Sequence, residues 1–255
     1  MKYGLQLFSV RDSAKENFEE TLGKVAEMGY KMVEPAGFFG HSAEEVAAMM
    51  KKYGLEVCST HSSPPDFFGD KLEEMMAFHK AIGCYDIVFP WSTCHAKDEL
   101  DSYIDNVNRI MPVLKKEGFR LHYHNHSLEF FPNKDGQIPW VEFNNRTELM
   151  FQVDTFWVYN AGLDPVKFIE ENRDRISIVH LKDGLPVSDR ENRDTIHTGA
   201  VRRALGEGSA PVAEVRKKAI ELGFKMVVES EGLDPCGLDE VKRCIDYLHT
   251  LDAKD

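Results

Sequence analysis

The feature that most constrains this 255-residue chain is an alternation repeated eight times: a short β-branched or aromatic run, then a longer charged segment. Tyr3–Phe8 is followed by Glu16–Met28, where Phe18, Leu22, Val25 and Ala26 recur at helical spacing. Lys31–Glu34 precedes Ser42–Tyr53, and Ser42 with Glu45 has the spacing of a capping box. Glu56–Thr60 precedes Lys71–Ile82, and Asp86–Phe89 precedes Lys97–Lys116. Phe119–His124 leads into a long loop and a short helical stretch ending near Arg146. Leu149–Asp154 pairs with Pro165–Asn172, and Ile176–Leu181 is followed by a polar loop, Lys182–Ala210, and a helix, Pro211–Leu222. Lys225–Glu229 and Leu238–Leu251 complete the series. Gly29, Gly54, Gly83 and Gly118 follow the first four helices, where a left-handed residue ends a helix well. Alternating strands and helices also suit an open doubly wound sheet. The count of eight, and the lack of a glycine-rich fingerprint after the first strand, favour a single-domain (β/α)8 TIM barrel over residues 1–255.

Composition narrows the function. A net charge of −12 with no basic run opposes binding to phosphate backbones or anionic membranes, so neither nucleic acid nor membrane is expected as a partner. No apolar run approaches the roughly 20 residues that span a bilayer. The N-terminus reads as a first strand, since Arg11 and Asp12 interrupt it at once. Five cysteines without a CxxC pair imply neither a disulfide framework nor a zinc knuckle, and point to a reducing, cytoplasmic setting.

The polar residues are informative by position. The first strand carries Gln6, the second ends at Glu34, and the third runs into His61. The fifth carries His122 and His124, with His126 just beyond. The sixth ends at Asp154, the seventh at His180 and Lys182, and the eighth at Glu229 and Glu231. In a barrel these ends meet at one mouth, where converging carboxylates raise one another's pKa unless a cation reconciles them. Mixed carboxylate and imidazole ligands suit Mn, Mg, Co, Zn or Fe(II). His79, His95 and His249 read as surface residues, and His41 and His197 as loop residues without an assigned role.

Six motifs in order, GLQLFSVR (Gly4–Arg11), YHNHSLEF (Tyr123–Phe130), VDTFWV (Val153–Val158), VHLKD (Val179–Asp183), GEG (Gly206–Gly208) and VVESEG (Val227–Gly232), resemble the sugar phosphate isomerase/epimerase superfamily of xylose-isomerase-like barrels. The resemblance implies one divalent metal, manganese foremost, held by Glu129, Asp154, His180 and Glu229, with His122 or His124 as alternatives to Glu129. It implies proton transfer beside the carbonyl of a small sugar, through an enediolate, by an isomerase or epimerase. A dehydratase or lyase acting on a keto-inositol or 3-keto-sugar is the alternative, ahead of an endonuclease-type barrel or a non-catalytic binding protein. Catalytic roles fall to Glu129, Glu229, His124, His126 and Lys182. Substrate contacts fall to Gln6, Glu34, His61 and Trp157, with Phe38 as a second apolar wall. Such barrels also suggest a homodimer, by analogy alone.

Overall fold

A computed structural model describes residues 1–190, 192 and 195–254. In chain order its strands are β1 (Gly4–Gln6), β2 (Met32–Glu34), β3 (Glu56–Val57), β4 (Thr60–His61), β5 (Asp86–Phe89), β6 (Arg120–His124), β7 (Met150–Asp154), β8 (Ile176–Leu181), β9 (Asp183–Leu185), β10 (Val201–Arg203) and β11 (Lys225–Val228). Nine of them form one parallel sheet in the order β3-β2-β1-β11-β8-β7-β6-β5-β4. The two edge strands belong to one short run of chain, Glu56 to His61. Its first half pairs with β2 and its second with β5, so the sheet nearly closes on itself through that run. Between the halves, Cys58 N–H still donates to Val33 O at 3.0 Å. The eight strands expected from the sequence are therefore present, the third interrupted at Cys58 and Ser59, in a single-domain TIM barrel.

Local chemistry sets the helix ends. The Ser42–Glu45 capping box forms at the start of helix Ala43–Tyr53, and Gly54 follows it with φ 65°. Gly83 and Gly118 also take positive φ after their helices. The first strand is shorter than expected because Gln6 Oε1 accepts the Phe8 N–H at 2.9 Å and turns Leu7–Val10 into a 3-10 segment. Short helices Arg11–Glu16, Pro64–Phe68 and Thr155–Asn160 lie in loops the periodicity left blank. The polar loop after β8 contains an antiparallel ribbon, β9 with β10; residues 191, 193 and 194 of that loop, like residue 255, lie outside the described residues. Among the described residues no helix is long and apolar enough to cross a membrane.

The barrel interior is layered. Met32, Cys58, Ile178 and Val227 form a small apolar cluster inside it. Gly4 belongs there because a Cβ would sit 3.2 Å from Val227 and 3.4 Å from the Cys58 sulfur. The larger core lies between the outer strand faces and the helices, with Leu5, Val33, Ile87, Leu121, Phe151 and Val179 fully buried or nearly so. At the foot, Asp86 accepts two bonds from Arg120, both at 2.6 Å, and one from Lys225 at 2.8 Å, while His122 Nε2 stands 2.9 Å away. His122 thus has its Nε2 turned to Asp86, and it belongs to no group of potential metal ligands among the described residues.

Burial pushes the Asp86 carboxyl up, but His122, Arg120 and Lys225 outweigh it and hold the group well below the usual carboxylate range. A depressed folded pKa stabilises the fold above the unfolded value and loses that contribution as the pH falls. Replacing Asp86 with Asn therefore costs about 2 kcal/mol at pH 7, below the full cost of breaking a buried pair because Arg120 is half exposed. Urea denaturation should show the gap to the native chain closing as the pH drops below about 4.

Candidate metal centre and active-site cavity

Side chains two apart on a strand share a face. The residues two beyond the inward apolar positions therefore point inward one level higher. Gly4 is followed by Gln6, Met32 by Glu34, Ile178 by His180 and Val227 by Glu229. His122 is followed in the same way by His124, and Gln152 by Asp154. The top of the barrel is thus a buried polar layer, ordered by the same alternation that builds the apolar one.

Within it, one ligand atom each of His124, Asp154, His180 and Glu229 lies within 4.8 Å of the others, and all four residues are buried. The His124 and His180 ring centroids are 4.7 Å apart. Asp154 has a divided role. Its Oδ1 accepts the Trp157 N–H at 3.0 Å and caps helix Thr155–Asn160, while Oδ2 is buried without a hydrogen bond. A buried carboxylate oxygen without a donor is costly, and a divalent cation is the partner that mixed carboxylate and imidazole groups accept. The donor set and its spacing fit one such ion.

Glu34 arranges two of these ligands without being one of them. Its Oε1 faces His180 Nε2 at 2.8 Å, and Gln152 Nε2 donates to its Oε2. That bond orients the Gln152 amide, since a carboxylate only accepts. Gln152 Oε1 then faces His124 Nδ1 at 3.0 Å, which must carry the proton. His124 Nε2 is left with its lone pair, as a metal ligand requires. On His180 the second nitrogen, Nδ1, stands 3.1 Å from Glu229 Oε2. Lys182 Nζ, also fully buried, donates to Glu229 Oε2 at 3.2 Å and to Glu231, and lies 3.7 Å from Asp154 Oδ2.

The electrostatics follow. Burial pushes Asp154 up, to about 7, against the charge of Lys182. Burial also opposes ionisation of Glu34, yet His61 and His180 outweigh it and bring the group to about 2. For His180 burial is again outweighed, by Glu34 and Glu229, and the ring rises to about 10. Burial, with the nearby His180 and His61, holds His124 well below the usual histidine range. Burial, with His197 and Lys182, brings His126 to about 3, so it is neutral at physiological pH.

A cavity of about 570 Å³ opens above the layer, and His61, His124, His126, Glu229 and Glu231 line its polar end. Other expected site residues stand elsewhere. Glu129 accepts the Tyr123 hydroxyl at 2.6 Å and the His126 N–H at 2.9 Å; it fixes the loop carrying His126, and His124 occupies the fourth place in the cluster. Gln6 and Glu34, expected as substrate contacts, are fully buried, with Gln6 donating to Glu34 at 2.7 Å, and neither lines the cavity. Trp157 is fully buried against His126 and His197 and does not line the cavity. Lys182 also lies behind the wall, acting through the carboxylates it binds. His79 is buried, bonded to Thr60 Oγ1 at 2.9 Å, contrary to the surface assignment.

The motifs also hold the frame. Asn125 bonds both ways with the Asp154 backbone, at 3.1 and 3.3 Å, joining the ends of β6 and β7. In GEG, the N–H groups of Gly206 and Gly208 donate to Asp183 Oδ2 at 2.9 and 3.0 Å; a Cβ on Gly208 would lie 2.2 Å from Oδ1 of the same carboxylate. Glu240 receives Gly232 and Asp234 N–H at 3.0 and 2.8 Å, fixing the segment after Glu229. Two residues near the site had no assigned role. His197 stacks on Trp157 with centroids 4.5 Å apart, and the Arg202 guanidinium lies 5.5 Å from the Trp157 ring centre. Both come from the loop after β8, whose only sequence signal was its unusual length.

Fold and site together define a barrel enzyme scaffold with a buried, mixed carboxylate–imidazole centre at the mouth. The chain belongs to the xylose isomerase-like TIM barrel family, whose sequence profile matches residues 22–251. It is 24% identical over 246 residues to the inosose dehydratase of Geobacillus kaustophilus, covering 84% of this chain and 80% of that protein. It superposes on a sugar phosphate isomerase/epimerase from Parabacteroides distasonis with a TM-score of 0.80 at 24% identity, covering 97% of this chain and 98% of that one. For a probable 3-DHS dehydratase of Bacillus anthracis the TM-score is 0.74 at 16% identity, over 98% and 99% of the two chains.

Titration calorimetry of the metal-free chain with Mn²⁺ should give one site. Asp154→Ala should abolish it. Glu34→Gln should weaken it roughly 10- to 100-fold, as for other groups that orient metal-bound histidines. Glu129→Gln should leave the affinity unchanged.

Proposed function

We propose that this protein is a divalent-metal-dependent isomerase or epimerase that moves a proton beside the carbonyl of a small sugar or cyclitol, by way of an enediolate. One observation carries the reading: four mutually close buried ligands, including an Asp154 oxygen that accepts no hydrogen bond, at the floor of a cavity lined by acid–base groups. His124, Asp154, His180 and Glu229 would hold the ion. When bound, it supplies Lewis-acid polarisation of the substrate carbonyl.

The chain's own residues do the rest. Burial opposes ionisation of Glu229, but Lys182 and His180 overcome it and keep the carboxylate charged, so it can accept a proton. It lines the cavity beside Glu231, and the pair offers acceptors for a carbon-bound proton or a hydroxyl. Lys182 balances both carboxylates, which limits their mutual repulsion. His126, neutral, and His61 can each contact a hydroxyl or relay a proton. Glu129 holds the His126 backbone in place.

The second reading, a dehydratase, is favoured by the similarity to inosose dehydratase along 84% of the chain. It shares the first proton abstraction and adds departure of a β-hydroxyl. The two separate in deuterated water. Metal-loaded protein incubated with D-fructose or with 2-keto-myo-inositol should introduce deuterium beside the carbonyl with no loss of water, followed by NMR. Loss of water assigns the dehydratase instead, and absence of exchange with either compound sinks both. Glu229→Gln should slow exchange by about 10²- to 10⁴-fold.

A further inference from the structure

The cavity is larger and less polar than a sugar requires. Its volume of about 570 Å³ falls within the roughly 300–1,000 Å³ range of pockets that bury drug-sized ligands. His61, His124, His126, Glu229 and Glu231 gather at one end, by the ligand cluster. The other end is lined by Phe8, Phe38, Phe67, Met75, Pro90 and Trp91. His79 is part of this wall too, but both ring nitrogens are occupied, by Thr60 Oγ1 at 2.9 Å and Met75 O at 2.7 Å, so it presents carbon edges to the space. Ser62, Ser63 and Asp66 border the same region, and Asp66 lies 3.7 Å from the Lys71 ammonium.

Two of the aromatic rings are left in water. Phe8 is 42% and Trp91 43% exposed. Arg11 covers one face of Phe8 at 4.3 Å. The turn carrying Phe38 is built at some conformational cost, with Gly37, Phe39 and Gly40 all at positive φ, and its Phe38 ring packs on Phe78 at 4.5 Å between centroids. Positive φ at a bulky residue such as Phe39 is uncommon and tends to mark ligand-holding segments. A free polyol, bonded to the polar end, would leave these apolar surfaces hydrated.

We propose that the cavity has a second subsite, formed around Phe8, Phe38 and Trp91, that takes an aromatic substituent carried by the carbohydrate, so that the preferred substrate is an aryl-substituted sugar or cyclitol. The inference rests on the reading of the polar end as the carbohydrate's place and deepens it. The subsite and the ligand cluster share one continuous space, so a single molecule reaches both. Flat aromatic walls favour a planar group, through ring–ring contacts and apolar burial.

The test is calorimetric titration of the metal-loaded full chain with methyl β-D-glucopyranoside and phenyl β-D-glucopyranoside. The phenyl compound should bind at least tenfold more tightly. Trp91→Ala, at an exposed residue, should bring the ratio close to one while leaving methyl glucoside affinity unchanged. Phe8→Ala should reduce it in part, and thermal melting checks that both variants fold. Equal affinities for the two glucosides, no measurable binding of either, or a ratio that neither substitution moves overturns the proposal. Deuterium exchange is read separately. A chain that prefers the phenyl compound but exchanges no deuterium keeps the subsite and loses the proposed reaction; one that exchanges without the preference loses the subsite alone.

Discussion

The Glu34 carboxylate is the charge on which the top of the barrel depends. It is fully buried on β2, yet it is bonded to groups from β1, the third strand run, β7 and β8, through Gln6, Ser59, Gln152 and His180. Moving one charge so far from water would be prohibitive alone. Here it is offset by donors that themselves need an acceptor, and the resulting network orients His180 and, through Gln152, His124. A group outside the cluster of His124, Asp154, His180 and Glu229 thereby determines which imidazole nitrogen faces the centre.

The same economy recurs around the rim. Asp154 caps a helix with one oxygen and presents the other to the centre. Asp183 gathers the GEG turn under the loop that carries His197 and Arg202, and Glu240 gathers the segment after Glu229. Lys182, which looks catalytic in the sequence, is followed directly by Asp183, which holds a turn. Both are polar and lie near strand ends, so residue type alone does not separate them.

Much of the fold was legible. The bounds of Asp86–Phe89, Ile176–Leu181 and Lys97–Lys116 coincide with the expected ones, because each is a long or uniformly apolar period with clear punctuation. The short helices after β1, β4 and β7 were missed because they are barely a turn or two long and leave too few residues to show a period. The ribbon after β8 was missed because three-residue strands in a polar loop carry no alternation. His79 was misassigned because a lone histidine inside an amphipathic helix has no sequence mark of the Thr60 hydroxyl it meets across space.

The sequence by itself determined the order of the eight barrel strands and of the main helices between them, the shared face of the polar residues along a strand, and three of the groups that converge: Asp154, His180 and Glu229. Alternation is local, and it can be read wherever a strand can be recognised. Height along the barrel axis is not local, because it depends on how neighbouring strands are staggered when the sheet closes. His122 and His124 share a face and differ by two residues, roughly 6.6 Å along the strand; the stagger sends one to Asp86 at the foot and the other to the centre at the mouth. Glu129, beyond the strand end, is drawn to Tyr123 by the loop's own path. The tertiary structure alone decided which polar residues share a point, and which aromatic residues, scattered between Phe8 and Trp91, face one space.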